Sequence, residues 1–312
     1  MISILMATYN GEKYLQEQMD SLLSQTFNDF TLWINDDASV DGTWNILLDY
    51  ASKHPDKIKL SCNKENSGGA KYNFLEMMST IKDDYIMLCD QDDVWLPEKI
   101  EKTLLRMKEL EQQYPNTPIL MRTDMQVVDQ YLQIISPSYR KLMCSNFDRT
   151  GFNQVLVQNT FAGCTAMYNR ALAELLDKKP DYCIMHDWWL ELAAAAFGKI
   201  AHVDEPTILY RQHSDNEVGI KDIRKLSYKI KLLTKGSYIE EAIQATYKQA
   251  ESFLRVYGHL LTKTQKHVLK KYCAIPNMSR LKRWRTIYNL GAFKNGVSRN
   301  IAYFIFVVSW KN

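Results

Sequence analysis

Residues 84–99 read DYIMLCDQDDVWLPEK. The segment Asp84–Asp90 is apolar through its middle, as a strand buried on both faces would be. Pro97 opens a helical stretch, PEKIEKTLLRMKELEQQY, with proline in its first turn. Between strand and helix stands Asp90-Gln91-Asp92-Asp93. Carboxylates at i and i+2 of an extended chain point the same way. Three acids in four residues repel one another unless a cation or donor group neutralises them. Mg²⁺ or Mn²⁺, shared between one or two carboxylates and substrate phosphates, fits that chemistry. A plain helix start, with Asp92 or Asp93 as its cap, is the alternative.

On the N-terminal side, strand-like and helix-like runs alternate. The strands are expected at 2–8, 30–36 and 57–62. The helices are expected at 12–25, from Asp41 to Ala51, and at 72–81. Alternation over about 110 residues predicts an α/β fold, a mostly parallel central sheet flanked by helices. Ligands of such sheets bind beyond the carboxyl ends of the strands. The polar clusters sit there: Thr8-Tyr9-Asn10, Asp36-Asp37, Asn66–Gly69 and Asp90–Asp93. Four polar strand ends are expected to converge on one cleft.

These clusters differ in how much they say alone. A carboxylate such as Asp36 or Asp37 can accept an N–H from a pyrimidine base, whereas Asp41 and Gly42 are explained by a turn and cap. The glycines of Asn66–Asn73 permit close approach to a ligand, and the helix after them attracts phosphate. A plain helix start fits that stretch equally.

On the C-terminal side, 119–129 reads as a strand pair or a bent strand, and Phe161–Asn169 as a strand. A helix is expected at 186–198, and two short strands, broken at Glu205-Pro206, over 199–213. Asp187 opens the 186–198 helix. An acid there is a cap or a general base facing a cleft. Trp188 and Trp189 are either sugar-stacking faces or core. His213 follows a strand and sits in a polar run, Arg211 to Glu217, where it is a structural residue or could complete a metal shell or contact a diphosphate.

Hydrophobic residues at 46% and charged residues at 24% are ordinary for a globular protein. The net charge of +3 conceals an asymmetry. Residues 221–312 carry nineteen Lys and Arg against four acids, a formal +15, and residues 1–220 carry −12. The six cysteines are scattered without a C-x-x-C pair, which points to a reducing compartment and no zinc site. No signal peptide and no run near the ~20 apolar residues of a membrane span are present. The expectation is a cytoplasmic protein, peripheral on the inner face of the plasma membrane. The basic region with its Trp, Tyr and Phe suits an anionic membrane surface, and a solvated helical bundle is the alternative. Nucleic acid is not expected as a partner, because the body is acidic and no helix-turn-helix or zinc pattern is evident.

In order, ILMATYNG, DDASVDGT, Asp90-Gln91-Asp92, His186-Asp187 and Tyr210–His213 resemble the family 2 glycosyltransferases, of the GT-A fold. DQDDVWLPEK, TDMQVVD, MHDWWLELAAAAFGK and YRQH look like the bacterial rhamnosyltransferase branch. The resemblance implies a GT-A catalytic domain over 1–220, with a nucleotide-sugar half (1–115) and an acceptor half (116–220). A basic helical region, 221–312, follows. It implies Thr8, Tyr9 and Asn10 in the nucleotide pocket and Asp37 on the pyrimidine. Lys71 and Asn73 would lie near the donor sugar and phosphates, with Gln91 also on the donor. Asp90 and Asp92 would hold ribose, diphosphate and metal, with His213 completing the metal shell. Asp187 would be the general base and Trp188 and Trp189 the acceptor contacts. Ala38 stands where the family usually has Gly, and a small side chain is expected to be tolerated. No Q-x-x-R-W motif is present, which implies non-processive transfer.

The implied reaction is inverting transfer of a sugar, L-rhamnose from dTDP-rhamnose, to a lipid-linked cell-surface polysaccharide precursor. Transfer of another activated sugar is the alternative. A sugar nucleotidyltransferase would need a Gly-rich basic loop after the first strand, where TYNGEKY stands. A non-catalytic sugar-nucleotide-binding protein would be insensitive to Asp187→Asn.

Overall fold

The computed structural model describes residues 1–214 and 236–309, without the side chains of 236–238 and 309. The boundary expected near 220 and the first part of the basic region lie outside these residues. Contacts divide the chain into two compact units. Among the described residues, one holds Met1–Tyr139, Phe161–Lys179 and 198–214, and the other holds Arg140–Thr160, Pro180–Phe197 and 236–309.

The first unit is built on a nine-stranded sheet. Its first four strands are β1 (Ile2–Thr8), β2 (Phe30–Asp36), β3 (Ile58–Cys62) and β4 (Tyr85–Cys89). They run parallel in the order β3-β2-β1-β4. The sheet continues through β8 (Ala166–Asn169), β6 (Ile119–Val128), β9 (Lys199–Arg211) and the two-residue β5 (Val94–Trp95); β7 (Ile134–Ser136) pairs off β6. β8 is antiparallel to both β4 and β6, so the sheet is mixed, with its parallel part at the N-terminal half.

Every residue of β1 is buried. Alternate residues Ile2, Ile4 and Met6 share a core with Leu15, Met19 and Leu22 of helix α1 (Leu15–Leu23) and Leu47 of α2 (Thr43–Lys53). The spacing of the α1 residues is one helical face, and each buried side chain contributes about 1.5–3 kcal/mol. Helix α3 (Ala70–Thr80) also packs on β1, with Phe74 and Met78 buried outside that cluster. Helix α4 (Lys99–Gln113) lies along β6 and β9 through Ile100, Leu104, Met107 and Leu110.

Two expectations change and one alternative is decided. The 199–213 segment is one strand, because Pro206 sits at an irregularity. Thr123 pairs with Val203, Asp124 pairs next with Pro206, and Asp204 and Glu205 bulge out. For 119–129 the single-strand alternative holds: Ile119–Val128 form one strand, β6, with register shifts against β9 between Thr123 and Gln126. Neither Asp92 nor Asp93 caps the helix after Pro97, whose N-cap position is Glu98, without a side-chain bond.

In the second unit, helix α5 (His186–Phe197) is accompanied by α6 (Gly236–Tyr257), α7 (Lys263–Cys273), α8 (Arg280–Leu290) and α9 (Val297–Ser309). Its interior is aromatic. Trp189 packs on Phe253 and Tyr257, with ring centroids 5.2 and 5.7 Å away. Tyr247 and Tyr272 meet at 4.9 Å. The buried Arg283 donates to the carbonyls of Val307 and Pro276 at 3.1 and 2.8 Å, and so ties α9 to α8. Among the described residues, no helix is long and apolar enough to cross a membrane.

Candidate active site

The parallel register of β1 to β4 brings their carboxyl ends to one edge, and hydrogen bonds join the loops there. Thr8 Oγ1 donates to Asp36 Oδ1 at 2.8 Å, and Asp37 N donates to the Thr8 carbonyl at 2.8 Å. Asp36 also accepts from Ser39 N (2.8 Å) and Ser39 Oγ (2.7 Å), closing a tight turn. Ala38, inside that turn, has φ +60°. The left-handed region costs a residue with a Cβ about 1–2 kcal/mol, so the turn holds alanine in a conformation that suits glycine.

Asp37 reaches the next loop. Its carboxylate accepts from Asn63 Nδ2 at 2.7 Å, Ser67 N at 2.8 Å and Ser67 Oγ at 2.8 Å. Asp37 is 2% exposed, and these bonds take three of its roughly four acceptor sites. Gly68 and Gly69, at φ +93° and +134°, then turn the chain into α3. Lys71 stands in the first turn of α3, its Nζ 4.5 Å from the Tyr72 ring centroid.

Gln91 stitches β1 to the acidic loop. Its Oε1 accepts from Tyr9 N and its Nε2 donates to the Tyr9 carbonyl, both at 2.9 Å. The amide imitates a strand neighbour, so Gln91 acts on Tyr9. Tyr9 itself is 46% exposed, and Asn10 is exposed beside it.

Two of the expected donor residues have their side chains engaged within the protein. Asn73 is buried, with its Nδ2 on the Asn35 carbonyl and its Oδ1 on Asn35 Nδ2, each at 2.8 Å. It fastens α3 to β2. Thr8 is buried as well, and its hydroxyl serves Asp36.

The acidic loop splits by depth. Asp90 and Asp92 are half-buried, whereas Asp93 is fully buried. Asp93 Oδ1 accepts from Arg211 N at 3.0 Å, its Oδ2 is buried without a hydrogen-bond partner, and the Cys164 sulfur lies within 4.8 Å of the carboxylate. Burial pushes the Asp93 carboxyl well above the usual carboxylate range, and the Asp92 and Asp90 charges add to the shift. The buried Lys99 lies on the Trp95 ring at 4.6 Å, and burial pulls its ammonium down to about 8.

Strand β9 supplies the other wall. Arg211, 1% exposed, donates from Nε to the Asp92 carbonyl (2.8 Å) and from Nη1 to the Gln130 carbonyl (2.9 Å). Its Nη2 pairs with Glu17, and its guanidinium lies 4.6 Å from the Tyr14 ring centroid. Two residues on, the His213 ring lies tilted against the same Tyr14 at 4.7 Å and brings Nε2 within 2.8 Å of Asp92 Oδ2. Asp92 and His213, 121 positions apart, therefore meet. The sequence singled out His213 and placed Asp93 in the acidic cluster, but Arg211, Tyr14 and Cys164 were given no role at the site. For Cys164, its place in an apolar run was the available signal.

Among the described residues, the group whose donor atoms converge within 4.8 Å is Asp90, Asp93 and Cys164. Two of the three are fully buried, and Mg²⁺ keeps several waters. Asp90 and Asp92 are half-buried at the rim, where Asp92 meets His213, and two carboxylates with an imidazole are ligand types Mn²⁺ accepts, but these three do not converge into one such group.

Asp187 lies in the second unit, 8% exposed in the first turn of α5, with Oδ1 accepting from Trp188 N at 2.6 Å. Burial lowers the neighbouring His186 to about 3. Glu191, one turn on, is fully buried and accepts from Thr160 Oγ1 at 2.7 Å. The expectation for Trp189 is corrected: at 1% exposed and inside the aromatic cluster, it is core. Trp188 is half-buried and donates from Nε1 to the Val155 carbonyl at 2.7 Å.

Residues 3–176 match the family model described as glycosyl transferase family 2. The chain belongs to glycosyl transferase family 2. Among family 2 relatives, the dTDP-rhamnosyl transferase RfbG of Shigella flexneri is 28% identical over 236 residues, 72% of this chain and 77% of RfbG. The putative glycosyltransferase EpsE of Bacillus subtilis is 40% identical over 101 residues, 32% of this chain and 36% of EpsE. The S. aureus TarS 1-349 structure in complex with UDP-GlcNAc superposes with a TM-score of 0.55 at 15% identity, covering 94% of this chain and 92% of TarS. That likeness establishes the fold, which is the GT-A type of family 2 transferases.

Proposed function

We propose that the chain transfers L-rhamnose, with inversion, from dTDP-β-L-rhamnose to a hydroxyl of a lipid-linked cell-surface polysaccharide precursor. The observation that carries the nucleotide-sugar part is the meeting of Asp92 and His213 at 2.8 Å, above strand ends that share one edge. The likeness to RfbG supports rhamnose as the sugar.

Tyr9, Asn10 and Asp37 would hold the nucleotide, with Gln91 fixing Tyr9. Lys71, at a helix N-terminus, would meet phosphate. Asp90, Asp92 and His213 would hold Mg²⁺ or Mn²⁺, which when bound neutralises the leaving diphosphate. Asp187 would take the proton of the acceptor hydroxyl. That oxygen bonds to the anomeric carbon from the face opposite the diphosphate. The carbon–oxygen bond to the diphosphate breaks, and its electron pair leaves with dTDP. A β donor then gives an α linkage. Trp188 would border the acceptor. Without a Q-x-x-R-W motif, one or few sugars are added per encounter.

A screen of nucleotide sugars with Mn²⁺ and extracted lipid-linked acceptor, read as nucleotide diphosphate release and product mass, tests this. Release from dTDP-rhamnose and a product heavier by one deoxyhexose are expected. Transfer from another donor alone would remove rhamnose and keep the family 2 chemistry. No release from any donor would sink the transferase reading.

A further inference from the structure

The second unit carries an exposed apolar seam. On α8, Leu281, Trp284 and Tyr288 are 66%, 45% and 62% exposed. Their spacing of three and four residues places them on one stripe. The opposite face, Arg283, Ile287 and Leu290, is buried. On α9, Val297, Ile301 and Ile305 repeat every four residues and are 78%, 56% and 56% exposed. A chain of rings links the two helices: Trp284 to Tyr288 at 5.8 Å, Tyr288 to Phe293 at 6.1 Å, and Phe293 to Phe304 at 6.0 Å. Burying exposed Trp, Tyr and Ile is favourable by about 25 cal/mol per Å². Water is thus a poor neighbour for this seam.

The charge around it says what covers it. Residues 252–312 contain twelve Lys and Arg and no Asp or Glu. On α8, Arg280, Lys282 and Arg285 are exposed. With about 100° per residue, Arg280 falls on one side of the stripe and Arg285 and Lys282 on the other. A second copy of this face would set cations against cations, which opposes self-pairing. An apolar stripe flanked by cations is the arrangement that lies in a bilayer interface, rings among the acyl chains and cations among anionic headgroups.

We propose that the α8–α9 face docks on an anionic lipid bilayer, with Trp284, Tyr288, Ile301 and Ile305 inserted and Arg280, Lys282 and Arg285 on the headgroups. This rests on the reading above that the acceptor is lipid-linked. It adds the residues that would bring the enzyme to that acceptor.

The test uses the full chain and co-sedimentation with vesicles of phosphatidylcholine, or of phosphatidylcholine doped with phosphatidylglycerol. Binding to the doped vesicles is expected to exceed binding to neutral ones by on the order of 100-fold, roughly five-fold for each of three cations. High salt should erase the difference. The variant Trp284→Ser/Ile301→Ser/Ile305→Ser should lose vesicle binding. Arg280→Gln/Lys282→Gln/Arg285→Gln should lose the preference for anionic lipid. Both should keep the wild-type melting temperature, since all six side chains face solvent. Trp284→Phe should remove the blue shift of tryptophan emission on vesicle binding. Wild-type binding by the serine variant, or no vesicle binding by the wild type, would overturn the proposal. So would a wild-type dimer that the serine variant dissociates. Donor hydrolysis in solution separates the two readings. If it is absent while vesicle binding persists, only the transferase reading fails; if it persists without vesicle binding, only the docking face fails.

Discussion

The imidazole Nε2 of His213 stands 2.8 Å from Asp92 Oδ2, joining the end of β9 to the loop after β4. His213→Ala removes that partner while leaving the sheet intact. Divalent-ion-dependent donor turnover should fall 10–100-fold, the loss usual when a group that ligates or orients a ligand is removed. Titrating Mn²⁺ against nucleotide release checks it. A half-maximal Mn²⁺ concentration equal to wild type would remove His213 from the metal shell.

Arg211 holds the same loop from behind. Arg211→Met leaves the Asp92 and Gln130 carbonyls without their donor. Breaking a buried charged network of this kind costs about 3–5 kcal/mol. Urea unfolding should show that loss. Arg211→Lys should recover little of it, because an ammonium cannot span three separate acceptors in one plane.

Ala38→Gly should stabilise the chain, because glycine adopts φ +60° without a Cβ penalty. Greater freedom in the unfolded chain offsets part of the gain, leaving up to about 1 kcal/mol. A melting temperature that falls would mean that the alanine methyl packs usefully.

Asp187→Asn tests the base. Turnover should fall by about 100- to 10,000-fold, with donor affinity by calorimetry unchanged. Equal losses in both would point to a structural role at the start of α5.

His186 gives a pH signature. Burial lowers its pKa to about 3 from 6.5, so the folded chain holds it neutral while the unfolded chain protonates. Stability is therefore full above 6.5 and declines as pH falls toward 3, by up to about 1.4 kcal/mol per pH unit. His186→Gln should flatten that slope in melts between pH 7 and 5.

The parallel half of the fold was legible because β1, β2 and β4 are apolar runs ending in polar clusters, a pattern that parallel burial demands. Strand β9 was not, because a proline inside a strand ordinarily breaks it. The register jump that accommodates Pro206 is a property of the pairing with β6. At the site, the acidic motif and His213 announced themselves by residue type. Arg211 did not: an arginine in a polar run looks solvated, and its partners lie up to 194 positions away. Asn73 and Trp189 erred in the opposite sense. Both have chemistry suited to a ligand, and only packing shows them turned inward.

Strand β9 ends at Arg211, and the partner of its guanidinium is Glu17. Four parallel strands and their helices are complete by residue 113. The Arg211 side chain that bonds the Asp92 carbonyl thus also pairs with Glu17, 194 positions away, a contact that must close a long loop as the chain folds.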